Sequence, residues 1–112
     1  ELIAEHFERG GSPDSAFDHF LSAAELALHE RDERRCFELF ERCLKQAVPA
    51  GQVAHGAVAA LQAAVSFGSE QRVVEALQRA EAAVQACSEE ERKELLPVIA
   101  DLRLKVTSLV EA

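Results

Sequence analysis

Apolar residues recur at intervals of three or four along most of the chain, which is the pattern of helices that bury one face. The clearest case lies between Asp32 and Pro49, where the apolar positions are Cys36, Phe37, Phe40, Cys43, Leu44, Ala47 and Val48. Most charged side chains of this stretch fall outside that face. The pattern therefore predicts an amphipathic helix that begins after Asp32 and ends at Pro49, Ala50 and Gly51.

The same pattern predicts four more helices, separated by connections of only a few residues. Their predicted ranges are 13 to about 29, 52–67, 69 to about 86 and 89 to about 110. Short connections favour antiparallel neighbours. We therefore expect one helical hairpin over 13–49, a second over 52–87, and a terminal helix over 89–110.

Residues near both ends of the chain carry further expectations. Residues 1–9 have apolar side chains at helical spacing, which indicates the tail of a preceding helix. Ser88 and Glu91 form a capping-box pattern at the start of the terminal helix. Pro97 lies inside that helix and is expected to kink or restart it.

Composition favours an all-α fold. Aromatic residues make up 5% of the chain, and Tyr, Trp and Met are absent, whereas alanine is abundant. Alanine has the highest helix propensity, and the aromatic side chains that favour strands are scarce. A length of 112 residues suits one hydrophobic core, so we expect a single helical domain over 1–112. The chain does not begin with Met, and we interpret it as a fragment of a longer protein.

The charge and the cysteines narrow the classes of partner and the location. A formal net charge of −8 argues against nucleic acid and anionic membrane surfaces, because both select clustered Lys and Arg. No apolar run approaches the ~18 residues that span a bilayer. Cys36 and Cys43 are two helical turns apart, which places their Cα atoms ~10 Å from each other, too far for a disulfide. With an odd total of 3 cysteines, we expect a reducing, intracellular location, the cytoplasm.

The second hairpin repeats part of the first. Residues 69–87 show the apolar pattern of residues 32–48 at an offset of 37 residues. The coinciding positions are Val73 with Cys36, Leu77 with Phe40, and Ala80 with Cys43. An offset of this size is typical of helical-hairpin repeats.

At these positions the first hairpin resembles the tetratricopeptide-repeat (TPR) family. The residues that carry the resemblance are Phe20, Asp32, Cys36, Phe40, Cys43, Leu44 and Pro49. The sequence departs from the family at Ala24, where the family has glycine, and at Ala27, where it has tyrosine. The second hairpin is also longer than usual and has Ala57 in place of a bulky aromatic residue.

The resemblance implies a short right-handed solenoid of stacked antiparallel hairpins with a C-terminal capping helix. It also implies a concave groove lined by the first helix of each hairpin. Carried over to this chain, the groove residues are Asp18, Leu21, Glu25, Leu28, His29, His55, Val58, Gln62 and Val65. This set is acidic to apolar, so we expect it to bind a basic, hydrophobic peptide or helix of another protein.

The terminal helix offers an alternative of a different class. Its apolar residues form a heptad-like seam of Leu95, Ile99, Leu102, Val106 and Leu109. Such a seam could pair two copies of the chain as a homodimer, which would make the chain an assembly domain.

The sequence contains no Gly-rich phosphate loop, no G-x-S-x-G and no H-E-x-x-H pattern. His19 and His29 lie ten residues apart on one predicted helix, too far to share a metal ion. Glu25 and His29 could form half of a carboxylate–histidine site, but a second such pair is missing. We therefore expect a non-enzymatic scaffold or adaptor that binds a partner protein and uses neither a cofactor nor a metal.

Overall fold

The computed structural model describes residues 12–111, and within this range the regular structure is α-helical, with no β-strand. The helices are α1 (Pro13–His29), α2 (Glu33–Leu44), α3 (Ala50–Phe67), α4 (Glu70–Ala86) and α5 (Glu89–Glu111). The predicted all-α fold is thus confirmed. The helix tail expected within 1–9 lies outside the described residues.

Contacts within the chain group it into two compact units that divide between Pro49 and Ala50, and the single domain expected over 1–112 stays a prediction. The first unit contains α1 and α2, and the second contains α3, α4 and α5. The division falls at Pro49, where the first predicted hairpin ends.

Helices α1 and α2 pack on each other as a hairpin, as their amphipathic patterns predicted. Their buried apolar side chains are Ala16, Phe17, Phe20, Ala24 and Ala27 on α1 and Cys36, Phe37, Leu39, Phe40 and Cys43 on α2. Small residues on α1 leave room for aromatic rings on α2, since Phe37 and Phe40 both lie on the buried face. The Arg42 guanidinium lies over the Phe20 ring, 4.6 Å from its centre.

The turn between α1 and α2 is a Schellman motif built without glycine. Arg31 has a φ of 59°, and its N–H donates to the Leu28 carbonyl at 3.0 Å. The Asp32 N–H donates to the Ala27 carbonyl at 2.9 Å, which completes the motif. The Asp32 carboxylate in turn accepts a hydrogen bond from the Arg35 N–H and caps α2 as predicted.

Arg31→Gly is expected to raise the free energy of unfolding by about 1 kcal/mol, because glycine adopts positive φ without the clash that other residues incur. Urea denaturation followed by circular dichroism measures the change. Arg34→Gly, at an exposed position inside α2, is the matched control and should lower stability by up to about 1 kcal/mol. Equal losses in the two variants would contradict the left-handed geometry at Arg31.

Helix α2 ends at Leu44, four residues before the predicted end at Val48. A proline disfavours helical backbone angles in the residue before it, so Pro49 disfavours a helical conformation at Val48. The Gln46 side chain donates to the Arg42 carbonyl at 3.0 Å and takes the place of a further helical N–H. Helix α3 then begins at Ala50, two residues earlier than predicted.

In the second unit, α3 contacts both α4 and α5, and α4 contacts α5. The buried residues of α3 are Ala54, Gly56, Ala57, Val58, Ala60, Leu61, Ala63 and Ala64. Small side chains on so much of its surface suit a helix with neighbours on two sides. Gly68 ends α3 with a φ of 71°.

A short turn joins α4 to α5 and makes the two helices antiparallel. The Glu91 N–H donates to the Ser88 hydroxyl oxygen at 3.3 Å, which confirms Ser88 as the N-cap, and the Ser88 hydroxyl donates to the Glu91 carboxylate at 2.9 Å. Arg92 reaches back and donates to the carbonyls of Gln85 and Cys87, so it caps the end of α4. Helix α5 is continuous from Glu89 to Glu111, and Pro97 does not interrupt it.

Candidate interaction surface

The groove predicted from the TPR resemblance draws on two helices that belong to different compact units. On α1 the five groove residues share one face, where Asp18, Glu25 and His29 are exposed and the two leucines between them are half-buried. On α3, His55 and Gln62 are exposed and Val65 is half-buried. The groove that would combine the two faces stays a prediction.

Val58 of α3 was expected to line this groove. Its side chain is only 5% exposed, so it belongs to the buried face of α3. A partner on the surface would not contact it. The groove residues of α3 are therefore reduced to His55, Gln62 and the half-buried Val65.

The heptad-like seam of α5 does not lie on the surface of the chain. Leu95, Ile99, Leu102 and Val106 are buried, and Leu109 is half-buried. These side chains form the face with which α5 packs in the second unit, against α3 and α4. A homodimer through this seam would need α5 to leave its own unit.

Large apolar side chains at the surface are concentrated on α4 and α5. Among residues 12–111 the exposed ones are Val74 at 40%, Leu96 at 43%, Leu104 at 72%, Val110 at 47% and, on α1, Leu26 at 56%. Isolated exposed leucines are ordinary, whereas neighbouring ones on a single surface are typical of a binding site. Whether the exposed apolar side chains of α4 and α5 lie on one surface follows from their spacing along each helix.

Positions along α4 and α5 place Val74, Leu96 and Val110 on one surface, which we call the outer strip. It consists of Val74, Leu77, Glu81 and Gln85 on α4 and Leu96, Ala100, Arg103, Thr107 and Val110 on α5. Within each helix these residues recur every three or four positions, so each set lies on one face. All nine are exposed except Leu77 and Glu81, which are half-buried. Leu104 adjoins the strip, four positions after Ala100.

An ion pair joins the two helices at the centre of the strip. The Arg103 guanidinium donates a hydrogen bond to the Glu81 carboxylate. Val74 lies seven residues before Glu81, and Val110 lies seven residues after Arg103. Because the helices are antiparallel, both valines lie about 10 Å from the ion pair in the same direction. Leu96 lies equally far in the other direction.

Beside the ion pair, a small pocket of about 30 Å³ opens between the two helices. Its lining residues are Glu81, Val84, Gln85, Leu96, Ile99 and Arg103. The pocket can hold the end of one side chain, and the surface around it is an extended contact area.

Residues of the outer strip were not identified from the sequence, although a signal was present. Leu96, Ala100, Arg103, Thr107 and Val110 repeat the 4-3-4-3 spacing of the predicted seam, shifted by one residue. All five members of the predicted seam are apolar, which makes it the stronger of the two patterns. The second series has a polar residue, Arg103, at its centre, so it is a weaker apolar pattern.

The described part of the chain was also searched for metal-binding groups and membrane-spanning helices. No group of three or more His, Cys, Asp and Glu side chains there is arranged to hold a metal ion. Within residues 12–111, none of the helices has both the length and the apolar character that crossing a membrane requires.

Cys36, Cys43 and Cys87 are buried, and none of the three is part of a disulfide. The Cys43 thiol donates to the Phe17 carbonyl at 3.4 Å. Burial, together with the negative charges of Asp18 and Glu25, raises the pKa of Cys43 from 9.0 to about 12. A covered, protonated thiol is a poor nucleophile, so Cys43 contributes packing to the hairpin.

The raised pKa of Cys43 predicts a loss of stability at alkaline pH. The unfolded chain releases this proton near pH 9.0, whereas the folded chain keeps it until about pH 12. Between these values the free energy of unfolding should fall by about 1 kcal/mol per pH unit through this thiol. Urea denaturation at about pH 8, 9 and 10 measures the slope, and Cys43→Ala should remove this contribution. An unchanged slope in the variant would contradict the assignment.

Comparison of the chain with protein-family models, with curated proteins and with solved structures gives no match.

Proposed function

We propose that this chain is a non-enzymatic interaction module of a scaffold or adaptor, and that it binds a helix or peptide of a partner protein on the outer strip. The observation that carries the proposal is the concentration of exposed Val74, Leu96 and Val110 on one surface of two adjacent helices. Burial of exposed apolar area is the main source of affinity at most protein interfaces. Rigid helices that are already packed present this area without a cost of ordering loops.

Charges at both ends of the strip favour a basic partner. Glu70 and Glu111 are exposed at the end where Val74 and Val110 lie. Glu89 and Glu90 are exposed at the opposite end, at the start of α5, where Glu89 also pairs with Lys93 at 4.0 Å. Lys or Arg side chains near the ends of a bound segment would meet these carboxylates, which would speed association and select the partner. The chain's net charge of −8 acts in the same direction.

Two further parts of the proposal rest on the hairpins and the cysteines. A TPR-like repeat is supported by burial at the matched positions, since Cys36, Cys43, Val73 and Ala80 are each 0% exposed. Leu77, which is matched to Phe40, is half-buried. We also propose an intracellular, cytoplasmic location, which three cysteines outside any disulfide support.

The binding test uses a labelled peptide of about 18 residues, long enough to follow the strip as a helix of about 27 Å. The peptide carries leucines along one face and Lys or Arg at both ends, and fluorescence anisotropy reports its binding to the 112-residue chain. A scrambled peptide of the same composition separates recognition of the helix from attraction between opposite charges. We expect the ordered peptide to bind at least about tenfold more tightly than the scrambled one.

Leu96→Glu places a charge in the strip and should weaken binding of the ordered peptide by at least about tenfold. Leu26→Glu is the matched control, because Leu26 is a comparably exposed leucine on α1, outside the strip. This control should bind like the unmodified chain. Equal affinity of the two variants, or of the ordered and scrambled peptides, would overturn the proposed site.

A further inference from the structure

We propose that the outer strip recognises an α-helix whose apolar stripe is interrupted at its centre by one amide side chain, Gln or Asn. In this partner helix, the amide lies opposite the ion pair of Glu81 and Arg103, and apolar residues stand seven positions before and after it. Lys or Arg residues follow at both ends. This inference rests on the proposed function and specifies its ligand.

The walls of the strip select a helix over an extended segment. Both walls are helices whose backbone groups are bonded internally, so an extended peptide finds no strand edge to pair with. Leu96, Arg103 and Val110 repeat every seven residues, about 10 Å apart. A partner helix has the same repeat and stays in register over the whole strip, whereas the two-residue period of an extended chain does not.

The ion pair determines what the centre of the partner can be. The side chains of Glu81 and Arg103 are 39% and 53% exposed, so a bound helix would remove both from water. A leucine opposite them would leave the donor and acceptor atoms that the ion pair itself does not use without hydrogen-bond partners, which costs affinity. A Lys or a Glu would add a net charge to the covered site.

An amide meets both members of the pair at once. Its N–H₂ group donates to the Glu81 carboxylate, and its carbonyl oxygen accepts from the Arg103 guanidinium. A single buried amide is also a known means by which paired helices fix their register. Gln and Asn are therefore the central residues that match this strip.

Charge argues for a partner other than a second copy of this chain. A second copy would bring its own net charge of −8 to the interface. Its strip would also be bordered by the carboxylates of Glu70, Glu89 and Glu111, which repel their counterparts. A partner helix with Lys or Arg at both ends does not meet this repulsion.

The test compares three helical peptides that differ only at the central position of the apolar stripe, which is Gln, Leu or Glu. Anisotropy titrations against the 112-residue chain should show the Gln peptide binding about tenfold more tightly than the Leu and Glu peptides. In the double variant Glu81→Leu/Arg103→Leu, the Leu peptide should become the tightest binder. Circular dichroism verifies that the double variant is folded, and Glu81→Gln/Arg103→Gln replaces it if it is not.

In the variant Glu81→Gln/Arg103→Gln, the central Leu peptide should still bind more weakly than the central Gln peptide. The difference in affinity between the two peptides should be smaller than it is for the unmodified chain. Equal binding of all three peptides would overturn the central amide and leave the proposed function standing. Absence of binding by all three would overturn the proposed function itself. Self-association of the chain in sedimentation equilibrium that Leu96→Glu abolishes would identify a second copy as the occupant and overturn the basic partner helix.

Discussion

Leu102→Glu is expected to unfold the second compact unit, with a loss of more than about 4 kcal/mol in the free energy of unfolding. The Leu102 side chain is 4% exposed, on the face of α5 that packs in this unit. A carboxylate there would be buried without a partner. A unit of this size is stable by about 3 to 9 kcal/mol, so the loss takes away between nearly half and all of its stability. Urea denaturation followed by circular dichroism measures it.

Leu104→Glu is the matched control, two positions along the same helix. Leu104 is 72% exposed, and the same substitution there should change stability by less than about 0.5 kcal/mol. The assembly alternative expects a different result, in which a dimer held by the seam separates into folded monomers on Leu102→Glu. Sedimentation equilibrium on both variants distinguishes the two outcomes. A folded, monomeric Leu102→Glu variant of a dimeric chain would contradict the buried position of the seam.

Phe20→Ala should lower the stability of the α1–α2 hairpin by about 3 to 5 kcal/mol. Phe20 is 0% exposed, so the substitution leaves a cavity at the centre of the hairpin. It also removes the aromatic face over which Arg42 lies. Hydrogen exchange at the amides of α1 and α2 measures the loss.

Leu26→Ala, on the same helix, controls for the change in helix propensity and exposed area. Leu26 is 56% exposed, and its truncation should change amide protection by less than about 0.5 kcal/mol. If Phe20→Ala proved as mild as Leu26→Ala, Phe20 would not be a core residue of the hairpin.

Much of the helical architecture follows from local signals in the sequence. The five predicted helices exist, and the cap of α2 at Asp32 and the cap of α5 at Ser88 are formed. Apolar spacing and cap residues act over a few positions, so they can be recognised without the tertiary structure. The early end of α2 could also have been anticipated, because Pro49 restricts Val48.

The outer strip could not be identified without the tertiary structure. Leu95 and Leu96, like Leu109 and Val110, are adjacent apolar residues, and one of each pair belongs to each heptad-like series of α5. Only the packing of α5 in the second unit decides which series is buried. The pairing of Arg103 with Glu81 likewise joins residues 22 positions apart, and local patterns do not reveal it.

The most direct measurement is an NMR titration of the nitrogen-15-labelled chain with the basic helical peptide that carries a central Gln. We predict that the largest amide shifts fall on residues of the outer strip, around Val74 and Glu81 on α4 and around Leu96, Arg103 and Val110 on α5. Shifts confined to the exposed faces of α1 and α3 would instead support the groove of the TPR resemblance. That result would contradict the assignment of binding to the outer strip.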